Sequence, residues 1–122
     1  MSDMLELADK MFNAIESGNT AVLDEIYAAD AKIWHGWDNT EQSREDNLRI
    51  LSGIPTRYDD FGYDEPRCTA LEDGFLRQHV IRATIGDNTV NVPAIFRVFV
   101  DGGKICRIEE YMDAGELRKV FA

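Results

Sequence analysis

Apolar residues recur along the start of the chain at the spacing of one helix face: Met4, Leu7, Ala8, Met11, Phe12 and Ile15 follow the i, i+3, i+4 rhythm. Ser17-Gly18-Asn19 ends that stretch, because glycine takes the left-handed position after a helix without strain. A second, short helix is predicted next, with Val22 and Ile26, and Leu23 and Tyr27, as i, i+4 pairs, closed by Ala28-Ala29-Asp30. Lys32-Ile33-Trp34-His35 reads as a short strand running into a polar turn over 36–40. Residues 41–51 predict a third helix with Leu48 and Leu51 inward, stopped by Ser52-Gly53 and Pro55. From Arg57 onward the period shifts to two, and strands are predicted over 57–63, 68–72, 75–85, 89–100 and 105–112. The turn signals Asp73-Gly74, Gly86-Asp87-Asn88 and Asp101-Gly102-Gly103 separate the later ones, so these strands pair antiparallel.

The order of elements gives an α+β class: N-terminal helices packed in the concave face of a strongly curved antiparallel sheet. Two strands of about eleven residues are too long to stay flat, so the sheet should curl around the helices into a cone. The narrow end of a cone fills with side chains, and the wide end has room for a small molecule. A chain of 122 residues matches one domain, and 1–122 is expected to form a single one.

Charge and composition narrow the partners. Thirteen Lys plus Arg against 23 Asp plus Glu gives a net charge of −10, which repels phosphate backbones and anionic lipid. Nucleic acid and membranes are therefore not expected partners. No apolar run approaches the roughly 18 residues of a membrane helix. Met1-Ser2-Asp3-Met4-Leu5-Glu6 carries acid where an export signal would carry base. Cys68 and Cys106 form no C-x-x-C pair and read as thiols in a reducing compartment, so a cytoplasmic protein is expected. Two histidines without carboxylates at ligand spacing argue against a metal, and no phosphate loop or nucleophile elbow is present. Acid–base chemistry with no cofactor is the enzyme class that remains.

The whole chain resembles the nuclear transport factor 2-like superfamily, whose members include ketosteroid isomerase, limonene epoxide hydrolase, scytalone dehydratase and the SnoaL-type polyketide cyclases. Its SnoaL-like branch is the most similar. The resemblance is carried by Ile15-Glu16-Ser17-Gly18-Asn19, by the run from Ile26 through Tyr27 and Ala31 to His35, and by Val92-Pro93-Ala94-Ile95-Phe96-Arg97-Val98. The Asp101-Gly102-Gly103-Lys104-Ile105 turn and Arg107-Ile108-Glu109-Glu110-Tyr111-Met112-Asp113 complete it. It implies the cone fold, a homodimer through the outer face of the sheet, and a small hydrophobic molecule as ligand. Placed on this chain, the isomerase's general base falls on His35, and its two oxyanion donors fall on Met11 and Ile95, which cannot donate. That argues against steroid isomerisation by the same machinery. In the cyclases an Asp at the end of the last strand acts as acid or base, and Asp113 stands at that place.

Those correspondences and the strand patterns give the candidate site. His35 is the expected base, with a polar turn residue as its bland alternative. Asp113 is the orienting or acid group, or else the cap of a terminal helix. His79 is a second cavity group or an outward, hydrogen-bonded histidine, and Tyr111 is a donor to a carbonyl or a packed aromatic. Arg97, on the strand face of Ile95, holds a substrate carboxylate or pairs with Glu109 or Glu110. Met11, Trp34, Trp37, Ile95, Arg97 and Met112 are the expected substrate contacts. The runner-up function is a non-catalytic ligand-binding or dimerisation module of the same fold.

Overall fold

A computed structural model describes residues 2–122. Helix α1 (Ser2–Ser17) turns at Gly18 into α2 (Thr20–Ile26), and the chain then enters strand β1 (Tyr27–His35). A tight turn leads to β2 (Thr40–Ser43), helix α3 (Arg44–Ser52) and a single helical turn, α4 (Ile54–Arg57). Four long strands follow: β3 (Asp60–Leu71), β4 (Gly74–Ile85), β5 (Asn88–Asp101) and β6 (Lys104–Met112). Helix α5 (Ala114–Arg118) and a 3-10 turn (Lys119–Phe121) end the chain. Among the described residues no helix is long and apolar enough to cross a membrane.

The six strands lie in the order β2-β1-β6-β5-β4-β3. The meander from β3 to β6 is antiparallel as expected, whereas β1 pairs parallel to β6. The sheet curls around α1, which buries Ala8, Met11, Phe12 and Ile15 against Phe75, Phe96 and Val98. Each large apolar side chain so placed contributes about 1.5–3 kcal/mol relative to exposure. The α+β cone is thus the fold.

Several local expectations are corrected. The first strand is longer than 32–35, because Tyr27 and Ala31 share its buried face with Ile33. Residues 40–43 form a strand rather than a turn and helix start, and Ser43 instead caps α3, its Oγ accepting from the Asp46 amide at 3.2 Å. The separate strands over 57–63 and 68–72 are one strand, β3, interrupted between Asp64 and Arg67 by a bulge. Glu65 adopts φ 52° there, beside Pro66, which has no amide proton to give the ladder. Arg82 on β4 bridges the disturbance, donating to Asp60 at 2.6 Å and to Asp64. Glu16 ties the same segment to α1 by accepting from the Tyr63 amide at 2.7 Å.

The turn before β4 depends on a missing side chain. Gly74 has φ +154°, and a Cβ there would lie 1.9 Å from the Val98 carbonyl oxygen. Gly74→Ala is expected to lower unfolding stability by about 2–4 kcal/mol, read from urea denaturation; a loss under about 0.5 kcal/mol would show that this turn shifts freely.

Two polar side chains enter the core with the inward face of β4. Arg77 is 6% exposed with its guanidinium 4.0 Å over the Phe12 ring, and its Nε and Nη1 have no partner among the described residues. His79 is 1% exposed between Phe12, Tyr63 and Phe96, and both ring nitrogens are likewise unpartnered. Burial, with the Arg77 charge beside it, pushes the His79 imidazole down to about 3. The unfolded chain takes up this proton near pH 6.5 and the folded chain does not, so stability falls as pH drops from about 6.5 toward 3. His79→Leu is expected to make the loss between pH 6.5 and 4 shallower by on the order of 3 kcal/mol. Thermal melts of both proteins across that range measure the difference, and parallel curves would contradict it.

Candidate functional site

At the wide end of the cone, between α3, α4, α5 and the inner face of the sheet, lies a cavity of about 190 Å³. Ile33, Phe61, Ile81, Phe96 and Ile108 supply much of its wall, and the exposed Arg57 stands at its rim. Its polar side chains include Glu110 and His35 from the sheet, Tyr27, Tyr58 and Tyr63, and Asn47 and Gln42.

Glu110 faces this cavity because strand β6 alternates. Ile108 is buried and lines it, and Glu110 and Met112 follow at the period of two on the same face. The Glu110 carboxyl is surrounded by protein, keeps accessible surface, and makes no side-chain hydrogen bond with another described residue. Loss of hydration pushes it up to about 8, so it holds its proton at neutral pH and releases it slightly above. Its charge in turn helps hold the Tyr27 and Tyr63 hydroxyls above the usual phenol range, after the larger effect of their own burial.

His35 stands beside Glu110. The parallel pairing of β1 and β6 puts the two in register, on strands about 4.8 Å apart, with both side chains lining the cavity. The Gly36 amide donates to the Glu110 carbonyl at 2.8 Å, which fastens the end of β1 at this point. The His35 ring stacks on Trp37, with centroids 4.2 Å apart and planes 14° from parallel. Burial lowers the His35 imidazole, and Asp38 nearby opposes that shift. Tyr27 donates to Asn47 Oδ1 at 2.9 Å, and Asn47 Nδ2 donates to Gln42 Oε1 at 3.2 Å.

The structure brings His35, Trp37 and Met112 together in this cavity. The other residues named from sequence lie elsewhere. Asp113 is exposed and caps α5, its Oδ1 accepting from the Glu116 amide at 3.1 Å. Tyr111, 45% exposed, points from the outer face of β6 and packs edge-on against Trp34, which is bonded to Asn39 through Nε1 at 2.8 Å. His79 points inward but sits in the packed aromatic core, without a hydrogen bond and away from the cavity wall. Met11 is fully buried in that core as well.

Ile95 and Arg97 occupy the outer face of β5, because Val92, Ala94, Phe96 and Val98 take the inner one. Arg97 forms an ion pair with Asp73 at 2.5 Å and lies over the Phe99 ring, rather than meeting Glu109 or Glu110. Ile95, on which the isomerase's second oxyanion donor was placed, thus lies on the face turned away from the cavity.

Glu110, Tyr63, Asn47 and Gln42 were not among the expected site residues. For Glu110 the signal was available: it alternates with Ile108 and Met112, two apolar side chains, which marks a carboxylate on the dry face of a strand. For Asn47 and Gln42 no comparable pattern exists, since both are placed by how α3 and β2 fold over the cavity.

No protein-family model matches the chain, and no curated protein matches it by sequence. Solved structures do match in shape. An NTF2-like protein from Burkholderia xenovorans superposes with a TM-score of 0.80 at 17% identity, covering 99% of this chain and 97% of its own. An LEH-like epoxide hydrolase of M. tuberculosis gives 0.78 at 15% identity, over 98% of this chain and 90% of that one. A SnoaL-like protein from Jannaschia sp. CCS1 gives 0.83 at 11% identity, over 99% and 93%. Agreement of this extent at such low identity is agreement of fold, and function has to be argued from the site. The chain has the nuclear transport factor 2-like cone fold, similar in shape to SnoaL-like proteins.

Proposed function

We propose that this protein is an acid–base enzyme that binds a small, largely apolar molecule in the Glu110 cavity and moves a proton within it. The observation that carries this reading is the Glu110 carboxyl, unpaired on an apolar cavity and poised at about 8. A group titrating near neutrality both accepts and returns a proton without a large penalty in either direction. As carboxylate, Glu110 takes a proton from a carbon beside a carbonyl, or from a hydroxyl or water. As acid, it returns that proton to the rearranged molecule. His35, next to it across the strand pair, is the second proton-carrying group. The class covers isomerisation, dehydration, aldol-type cyclisation and epoxide hydrolysis, and one protein of similar fold is described as an epoxide hydrolase. No cofactor takes part in this scheme. We place the protein in the cytoplasm as a homodimer paired through the outer face of β4–β6, where Leu76, Ile95, Phe99 and Tyr111 are partly or fully exposed.

A second reading, a ligand-binding module without turnover, draws on one observation: no hydrogen bond joins His35 to Glu110. Small carbonyl compounds and epoxides, followed for turnover, separate the two. Under the enzyme reading Glu110→Gln lowers kcat by about 10²–10⁴-fold while ligand binding persists. Wild-type kcat/KM, with the carboxylate as base, rises with pH through about 8. Turnover unaltered by Glu110→Gln would remove Glu110 from the chemistry, and binding with no turnover at all would favour the module.

The same substitution has a stability signature. An ordinary Glu ionises near 4.5 in the unfolded chain, whereas the folded chain keeps its proton up to about 8. The contribution is therefore whole below about 4.5 and is lost as pH rises through about 8. Glu110→Gln, which stays neutral, is expected to become more stable than wild type by on the order of 5 kcal/mol at pH 9, with the difference fading toward pH 4.5. Denaturation at pH 5, 7 and 9 tests this, and a difference independent of pH would show that Glu110 is ordinary.

A further inference from the structure

Tyr27 lines the cavity, and its hydroxyl makes one hydrogen bond among the described residues, donated to Asn47 Oδ1 at 2.9 Å. A phenol has one proton, so with that proton committed the oxygen offers the cavity only lone pairs. The next link fixes the direction. Asn47, 7% exposed, gives its Nδ2 proton to Gln42 Oε1 at 3.2 Å, so its Oδ1 is turned to Tyr27 and can only accept. The bonds therefore run one way, from the cavity wall through α3 to β2.

A buried acceptor facing an apolar space is costly until a donor reaches it. The lining adds a second restriction. Its Arg or Lys side chain, Arg57, stands at the exposed rim, so an anion finds no buried cation to pair with. The size adds a third: an apolar cavity of about 150 Å³ takes up a benzene ring, and this one is about 190 Å³.

We infer that the cavity selects neutral, single-ring-sized molecules that carry a hydroxyl group, with Tyr27 accepting the hydroxyl proton and Asn47 and Gln42 holding Tyr27 in that role. This rests on the reading of the cavity as a ligand site, and it adds a specificity-determining residue and a substrate class to it.

Three probes test it on the full chain at pH 7 by NMR titration: phenol, anisole and benzoate. Phenol donates a hydrogen bond, anisole has the same ring without a donor, and benzoate is an anion. Phenol is expected to bind about tenfold more tightly than anisole, and benzoate more weakly than both. Tyr27→Phe should abolish the preference for phenol. Gln42→Met, on a half-buried strand where folding is less at stake, frees the Asn47 amide to turn and should shrink the preference to about threefold. Anisole binding as well as phenol, benzoate binding best, or a phenol preference that survives both substitutions would overturn the assignment while leaving a ligand cavity in place. Failure of all three probes to bind wild type would take the ligand cavity down with it.

Discussion

The pleat of the long strands, wrapped against α1, is the constraint from which the rest of the molecule follows. Along β4 and β5 one face is pressed onto Met11, Phe12 and Ile15, so a one-residue slip would exchange Phe75, Phe96 and Val98 for Leu76, Arg97 and Phe99. Such an exchange is too costly to leave register in doubt. The fixed register then decides the fate of polar residues that share the inner face. Arg77 and His79 are carried into the core and Glu110 onto the cavity whether or not each has a partner there. The unusual protonation of Glu110 is thus a consequence of strand geometry and of the water that geometry excludes.

The fold was largely legible because its helices and strands have clean periods and well-marked turns. Fine structure was lost where pattern and packing disagree. Pro66 and the two acids before it read as a gap between strands, yet the bulge absorbs them and Arg82 spans the break. Thr40 to Ser43 have no strand composition, and they pair only because β1 offers an edge. At the candidate site His35, Trp37 and Met112 were foreseeable, whereas Asp113 came from a correspondence with distant proteins and Tyr111 from the strand face it was expected to share, and both lie outside the cavity. On β5 Val90, Val92, Ala94, Phe96 and Val98 form an unbroken apolar series, while Asn91 and Arg97 interrupt the other face, so the inner parity was open to reading there too. On β6 Ile108, Glu110 and Met112 are the residues that state it.

The cavity gathers groups from distant parts of the chain. Glu110 and His35 stand on neighbouring strands of a packed sheet, which holds them within a narrow range of positions. Asn47 comes from α3, and Gln42 from β2, the edge strand of the same sheet.

The parallel seat of β6 between β1 and β5 has a bearing on how the molecule is made. Until residues 104–112 arrive, β1 has no partner on that side and β5 presents a row of unpaired amide and carbonyl groups. A partly synthesised chain in this state is a template for pairing with its neighbours on the same message. The excess of acid in the sequence, a net charge of −10, gives such chains a mutual repulsion that operates before any fold exists. The acidity of the chain thus opposes such pairing in the interval when the last strand is still missing.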